Sequence, residues 1–177
     1  NPRKTPLFAW TGGGRDLEIH FPGNKTSFGA DAWGEMAKPR PVLKGKVYLS
    51  TRRCVQRQFW LAPDSVVNQI ILYCLAEAAA ETGIYVMWFF AMSNHIHYGV
   101  YDPKGCYPKF LRRFHRNAAK VLNCNLGRWG NLWEYEQTSI VELADSEAVF
   151  DKMIYSLTNS VKDQLVKRAA KWPGVSS

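Results

Sequence analysis

Hydrophobic and polar residues alternate in several short stretches of the chain, which predicts β-strands buried on one face. "KVYLSTRR" begins at Lys46, while "GIYVMWFF" and "HIHYGVYD" lie on either side of "AMSN". The last two stretches are rich in β-branched and aromatic residues and almost adjacent, so we predict a hairpin. "QTSIVEL", residues 137–143, is predicted to form a fourth strand.

Apolar residues recur at helical spacing in three longer segments, which predicts three helices. The first begins near Pro63 and ends at Gly83, and the second carries an apolar stripe over residues 110–122. The third is predicted to run from an N-cap at Asp145 to about Lys171. The resulting order of strands and helices predicts an α+β domain, an antiparallel β-sheet with packed α-helices.

The domain boundaries follow from where these periods begin and end. Residues 1–44 are rich in Pro and Gly and show no period, so we predict an N-terminal arm. Its "TGGGRD" stretch is not followed by the Lys-Ser/Thr of a phosphate-binding loop. Residues 45–171 are predicted to form the catalytic domain. Residues 172–177 form a C-terminal tail that is a candidate start of a linker.

Composition narrows the class of protein and partner. A hydrophobic fraction of 46% in 177 residues suffices for the core of one domain. The net charge of +8 favours a polyanionic partner such as nucleic acid, although a basic surface without a partner is an alternative. The four cysteines are far apart in the sequence, which is typical of free thiols in a reducing compartment. With no apolar run of roughly 18 residues, we expect a cytoplasmic protein without membrane spans.

Basic residues are concentrated before the first helix and on the second. A helix with one apolar and one basic side is suited to lie on a sheet and contact a phosphate backbone, although a solvated charged face fits this helix equally well. The candidate nucleic-acid-binding residues are Arg52, Arg53, Arg57, Lys109, Arg112, Arg113, Arg116 and Lys120.

Two further segments carry candidate chemistry. Because side chains alternate along a strand, His95 and His97 are expected on one face, where two imidazoles can chelate one metal ion, and Ile96 on the other. The pair alone is equally consistent with polar residues at an exposed strand end. On the last helix, Tyr155 and Asn159 are i and i+4 neighbours, so a nucleophile and a metal ligand would point the same way. An exposed Tyr and Asn on a solvated face is the alternative.

Taken together, these motifs resemble a known family. "MSNHIH" resembles the "MxNHxH" signature of the single-tyrosine HUH transposases (IS200-like), and "YSLTNSVKDQLV" resembles the "YxxxNPVxxGLV" segment of their REP-associated tyrosine transposase branch. "LRRFHRNAAKVLN", "GRWGNLWE" and "EQTSIVEL" match the intervening segments in order and spacing. The resemblance covers residues 46–168 and implies the HUH endonuclease fold with a ferredoxin-like palm. In this chain Ser160 replaces the branch's usual proline, and Gln164 lies near its usual glycine.

The resemblance also implies an activity and a site. His95, His97 and Asn159 would be the metal ligands for Mg²⁺ or Mn²⁺, and Tyr155 the nucleophile that cleaves hairpin-bearing single-stranded DNA through a 5′-phosphotyrosine intermediate, with strand transfer rather than hydrolysis. A phenol ionises near pH of about 10, so we expect the metal, or Lys152 and Lys162, to stabilise the phenolate. Glu134, Glu136 and Glu142 are secondary candidates for the metal site, since no spacing connects them to the nucleophile.

Two other functions stay open. One is a domesticated protein that binds hairpin DNA or RNA with the same fold but no longer cleaves it. The other is an unrelated metal enzyme acting on a small molecule, which would explain the histidines but not the basic charge. A homodimer is compatible with the sequence, which does not decide whether Tyr155 serves the metal of its own chain or that of a partner.

Overall fold

The computed structural model describes residues 41–177, so the predicted N-terminal arm lies outside the described residues except for its last four. The described part contains a four-stranded antiparallel sheet in the order β2-β3-β1-β4. The strands are β1 (Lys46–Arg53), β2 (Tyr85–Ala91), β3 (His95–Asp102) and β4 (Ser139–Leu143). Non-adjacent strands in the sequence are therefore neighbours in the sheet, and β1 and β3 form its centre.

Two long helices, α1 (Ser65–Thr82) and α2 (Tyr107–Asn125), pack against each other and cover one face of the sheet. Helix α1 begins after Pro63 because the carboxylate of Asp64 caps it, accepting hydrogen bonds from the backbone N–H groups of Val66 and Val67. It ends at Gly83, whose φ of 71° is left-handed. The predicted α+β class and the predicted order of elements are confirmed.

The register of the central strands determines which side chains face the helices. Ile96 and Tyr98 belong to the hydrophobic core between the sheet and α1 and α2. The alternate positions of β3 place His95 and His97 on the other face, opposite Arg53 and Thr51 of β1. The predicted alternation is confirmed, and the sheet separates the histidines from α2.

The last predicted helix is shorter than expected, and its predicted extent to Lys171 is wrong. Helix α3 (Ser146–Leu157) begins at the predicted Asp145 cap and ends at Thr158. A single turn, α4 (Asn159–Lys162), follows, and the backbone N–H of Leu165 then bonds the carbonyl of Ser160, which closes the helix. Because Gln164 has a left-handed φ of 58°, the chain leaves the helical direction there.

The side of α3 and α4 that faces the protein is polar rather than apolar. Ser156, Asn159 and Ser160 are buried, while Phe150 and Ile154 are 59% and 56% exposed. Helix α3 contacts β2 and β3 on the face of the sheet that carries the histidines. Two large apolar side chains of α3 therefore point away from the sheet, while polar side chains of α3 and α4 are buried.

The C-terminal residues extend the sheet beyond β2. The backbone of Ser177 exchanges two hydrogen bonds with Phe89, and the N–H of Ala91 bonds the carbonyl of Val175. The indole N–H of Trp172 donates to the carbonyl of Ala91 at 2.8 Å. Residues 172–177, the predicted tail, thus cover the edge of β2 within the described part of the chain.

All four cysteines are free thiols, two of them buried. Within residues 41–177 no helix combines the length and apolar character needed to cross a membrane.

Candidate functional site

The candidate site forms where α4 meets the start of β3. The side-chain amide nitrogen of Asn159, Nδ2, lies 3.1 Å from Nε2 of His95 and 3.2 Å from Nε2 of His97. The two imidazole rings are nearly perpendicular, with centroids 4.7 Å apart. Two residues from a strand and one from a helix therefore direct polar atoms at one point, and His97 and Asn159 are buried there.

The other nitrogen of each imidazole has its own partner. Nδ1 of His95 lies 2.6 Å from Oδ1 of Asn94, and Nδ1 of His97 lies 2.9 Å from Oγ1 of Thr51. Because an amide oxygen can only accept, Nδ1 of His95 must carry the proton, so the Nε2 lone pair faces the Asn159 amide. A partner on the remote nitrogen orients metal-binding histidines in the same way.

Burial and charge keep both histidines neutral. Burial lowers the pKa of His97 to about 4, and the neighbouring His95 and Arg53 act in the same direction. Burial also lowers the pKa of His95, again with a contribution from Arg53, while Asp163 opposes the shift. Neutral imidazole is the form that binds a metal ion. These surroundings therefore favour the metal-binding form of both histidines over the protonated form.

The donor set fits a divalent cation. An amide placed close to two Nε2 atoms presents either its NH₂ or its oxygen there, since a half-turn of the amide exchanges the two. Two imidazoles and one carbonyl oxygen suit Mn²⁺ and the neighbouring transition metals and leave further coordination positions for phosphate oxygens. No group of three His, Cys, Asp or Glu side chains is arranged to hold a metal within residues 41–177, so a metal held at this point would need the amide as its third protein ligand.

Tyr155 lines the same cavity as His97. A cavity of about 440 Å³ is lined by residues that include His97, Tyr155 and Lys152, together with Glu134 and Glu136. The ring centroids of His97 and Tyr155 are 6.1 Å apart. The Tyr155 side chain is 46% exposed, so a large substrate can reach it.

The two predicted phenolate-stabilising lysines take different positions. Nζ of Lys162 lies 4.0 Å from the centre of the Tyr155 ring, in a cation–π arrangement, and Lys152 lines the cavity. Glu142, a secondary candidate for the metal site, pairs instead with Lys46 at 3.0 Å.

A second, smaller cavity lies on the His95 side of the pair. It has a volume of about 200 Å³ and is lined by Arg53, Arg57, Asn94, His95 and Asp163. Arg57 has a left-handed φ of 54°, as does the residue before it at 52°, and such backbone outliers concentrate at functional sites. Because Arg53 lines both cavities, one positive side chain spans the two sides of the histidine pair.

The structure divides the predicted basic residues into groups. The guanidinium of Arg52 donates to the backbone carbonyls of Glu134 and Glu136, and that of Arg113 binds Glu77 of α1. These two side chains are thus engaged within the protein itself. Arg53 and Arg57 are exposed beside the histidines. The exposed basic residues of α2, on the helix layer across the sheet, are Lys109, Arg112, Arg116 and Lys120.

The sequence reasoning missed three residues of the site. Thr51 and Asn94 hold the Nδ1 atoms, and Asp163 lies beside His95. The position of Asn94, next to the first histidine, was the available signal. Thr51 could have been found only from the register of β1 with β3, since 46 residues separate it from His97.

Comparison with solved structures finds proteins with a similar fold. The REP-associated tyrosine transposase bound to a REP hairpin superposes with a TM-score of 0.65 at 15% identity, covering 78% of this chain and 81% of that chain. A candidate transposase from Deinococcus radiodurans R1 matches over 73% of this chain and 98% of that chain, at 18% identity and a TM-score of 0.47, too weak to add to the assignment. No protein-family model and no curated protein matches the chain. The chain has the fold of a tyrosine transposase, which confirms the fold expected from the motifs.

Proposed function

We propose that the protein is a metal-dependent endonuclease and strand transferase of the transposase type, which cleaves single-stranded DNA through a covalent bond to Tyr155. The observation that carries the proposal is the convergence of the Asn159 amide with Nε2 of His95 and His97, at 3.1 and 3.2 Å. Tyr155 faces the cavity beside this point. A nucleophile next to three potential metal ligands suits phosphoryl transfer better than the binding of a small molecule.

The metal would be held by His95, His97 and Asn159. When bound, Mg²⁺ or Mn²⁺ would withdraw electron density from a phosphate oxygen and so favour attack at phosphorus. Thr51 and Asn94 hold the imidazoles in position, and the low pKa of His97, about 4, keeps it neutral for binding. Arg53, which lines the cavities on both sides of the pair, is placed to bind phosphates that flank the scissile one.

In the proposed covalent step, one bond to phosphorus forms and one bond to phosphorus breaks. The oxygen of ionised Tyr155 forms a bond to phosphorus, and the bond from phosphorus to the 3′ oxygen breaks. The departing 3′ oxygen takes a proton from solvent, and the phosphate stays on the tyrosine as a 5′-phosphodiester. The positive charges of Lys152 and Lys162 favour the phenolate that attacks. Attack by the 3′-hydroxyl of another DNA end reverses the step and joins strands.

A hairpin-bearing DNA is the proposed substrate. The superposed transposase structure is a complex with a REP hairpin. In this chain the net charge of +8 and the exposed Arg53 and Arg57 beside the site favour a polyanionic strand. Single-stranded DNA fits an open cavity with an exposed nucleophile, because the phosphates of an unpaired strand can enter it.

Trapping of a covalent adduct tests this proposal. The purified protein is incubated with a 3′-labelled single-stranded DNA that carries a hairpin, in Mg²⁺ or Mn²⁺, and separated under denaturing conditions. We expect a labelled protein–DNA adduct that disappears with EDTA and in Tyr155→Phe. The matched control Tyr73→Phe changes an exposed tyrosine of α1 and should retain the adduct. An adduct that persists in Tyr155→Phe would refute the assignment of the nucleophile.

A second candidate function is binding of hairpin DNA or RNA without cleavage. The observation that favours it is the lack of any acidic ligand in the donor set of the described residues, because two imidazoles and an amide carry no negative charge to attract the cation. Hairpin binding that is unaffected by metal, together with the absence of any adduct, would support this function over the first.

A further inference from the structure

Two loops beside the candidate site form one joined surface. The loop after β1 and the loop after α2 meet where the guanidinium of Arg128 stacks on the ring of Trp60, 3.4 Å from its centroid. The backbone N–H of Val55 bonds the carbonyl of Leu132, and the same guanidinium bonds Asn131 and Asn123. These contacts hold both loops in fixed positions relative to the sheet.

Three aromatic side chains project from this surface into solvent. Trp129 is 94% exposed, Tyr135 is 87% exposed and Phe59 is 69% exposed. Phe59 and Trp129 each adjoin a member of the Trp60–Arg128 contact, so their Cα atoms lie about 3.8 Å from those of the contacting residues. Exposed aromatic rings are available to stack on nucleic-acid bases. We call these three residues the aromatic platform.

A cavity adjoins Tyr135 of the aromatic platform, and we call it the platform cavity. Its volume is about 330 Å³, and it is lined by Ala119 of α2, Arg52 and the segment 130–135, which includes Tyr135. This volume falls within the range of roughly 300–1,000 Å³ that is typical of ligand pockets. The exposed cations Arg116 and Lys120 lie on α2 close to Ala119 in sequence.

The cavity connects two parts of the protein that the sheet separates. Arg52 and Glu134 line both this cavity and the Tyr155 cavity, so the two adjoin across the segment held by the Arg52 guanidinium. On its other side the platform cavity reaches α2, which carries the exposed basic residues. The platform cavity thus lies between the Tyr155 cavity and α2, with Tyr135 in its lining.

We infer that the aromatic platform binds unpaired bases of a DNA strand by stacking, while Arg116 and Lys120 bind its phosphates. Stacking on aromatic side chains combined with a basic surface is the general mode of single-strand recognition, and it does not depend on base sequence. The inference rests on the proposed function for the identity of the strand, and it adds a binding site for the DNA that flanks the cleaved phosphate.

DNA binding measured without metal tests the aromatic platform independently of the proposed cleavage. Fluorescence anisotropy in EDTA measures the affinity for a labelled single strand and for a fully paired duplex of the same sequence. Replacing Trp129 and Tyr135 together by alanine should weaken single-strand binding by about tenfold or more for each ring, whereas phenylalanine at both positions should retain most of it. Duplex affinity should be unchanged. Tyr73→Ala changes a tyrosine on α1 that is 72% exposed, and this variant should bind as the wild type does.

DNA that lacks bases in its unpaired part tests whether stacking is responsible for the binding. When the unpaired part of the strand is replaced by abasic nucleotides, the wild type and the double alanine variant should bind equally, because no base remains to stack. The inference is overturned if the double alanine variant binds the single strand normally, or if it loses duplex affinity to the same extent. It is also overturned if the wild type binds no single-stranded DNA.

The adduct assay then tells the two proposals apart. If the aromatic rings are needed for single-strand binding but the wild type forms no adduct, the aromatic platform stands and the cleavage proposal fails. If the adduct forms and the double alanine variant binds normally, cleavage stands and the aromatic platform fails.

Discussion

The side-chain amide of Asn159 lies 3.1 Å from Nε2 of His95, although 64 residues separate the two in the chain. The contact exists because α4 turns inward after Thr158 and buries Asn159 against the strand that carries the histidines. It connects the two motifs that the sequence singled out separately, and most of the expected behaviour of the site follows from it.

Removal of the Asn159 side chain should weaken metal binding. We expect Asn159→Ala to lower the affinity for Mn²⁺ by at least about tenfold, the loss found even for outer partners of metal ligands. Asn159→Asp should instead raise the affinity, since a carboxylate adds negative charge at the same place. Isothermal titration calorimetry measures both, with Asn125→Ala at the exposed end of α2 as the control. Unchanged affinity in Asn159→Ala would exclude the amide as a ligand.

Neutralisation of the two lysines around the nucleophile should move the pH profile of cleavage. Lys162 lies against the Tyr155 ring and Lys152 lines the same cavity, so their charges favour the phenolate. In Lys152→Met/Lys162→Met we expect slower single-turnover cleavage at neutral pH and recovery at higher pH. The measurement uses saturating DNA, and Lys167→Met, an exposed lysine beyond α4, is the control. A profile that keeps its position would show that neither lysine acts on the nucleophile.

Acid should destabilise the protein through its buried histidines. Burial lowers the pKa of His115 to about 3, and its Nε2 lies 2.8 Å from the hydroxyl of Tyr98. In the unfolded chain a histidine takes up its proton near pH 6.5, so the unfolded state binds more protons below that pH. The stability is therefore complete above about pH 6.5 and falls as the pH decreases toward about 3, with a slope of at most about 1.4 kcal/mol per pH unit for each such group.

Urea unfolding between pH 3 and 8 without metal measures this slope. His115→Gln removes the titrating group and keeps an acceptor for Tyr98. The free energy of unfolding should therefore depend less steeply on pH in acid, by the contribution of one histidine. Above about pH 7 the variant and the wild type should show parallel dependence, since His115 is neutral in both states there. An identical acid slope in the variant would show that His115 does not cause the loss.

Glycine at position 164 should stabilise the protein. Gln164 adopts a left-handed φ of 58°, which is strained for a residue with a Cβ atom, and it lies near the usual glycine of the family that the motifs resemble. We expect Gln164→Gly to raise the free energy of unfolding by up to about 1 kcal/mol. Asp163→Gly, at an adjacent position with a φ of −80°, should lower it. A decrease in stability for Gln164→Gly would mean that the glutamine side chain makes a stabilising contact.

Much of the fold followed from local pattern. The order of the elements, the cap at Asp145 and the left-handed end of α1 at Gly83 depend on residues next to each other in the chain, so the sequence predicted them. The end of the last helix did not follow, because its apolar periodicity continues past Thr158 while the backbone turns to bury Ser156, Asn159 and Ser160. Apolar periodicity indicates which residues a helix would bury, but it does not indicate the residue at which tertiary packing ends the helix.

The candidate site, like the fold, could be predicted from the sequence only in part. The placement of His95 and His97 on one face is a property of any strand, and the sequence by itself determined it. Only the tertiary structure decided that Asn159 meets both imidazoles, that Arg52 and Arg113 are held by the protein's own groups, and that Trp129 stays in solvent. The reason is physical: these outcomes depend on the register of β1 with β3 and on the packing of α3 and α4, which bring together residues far apart in the sequence.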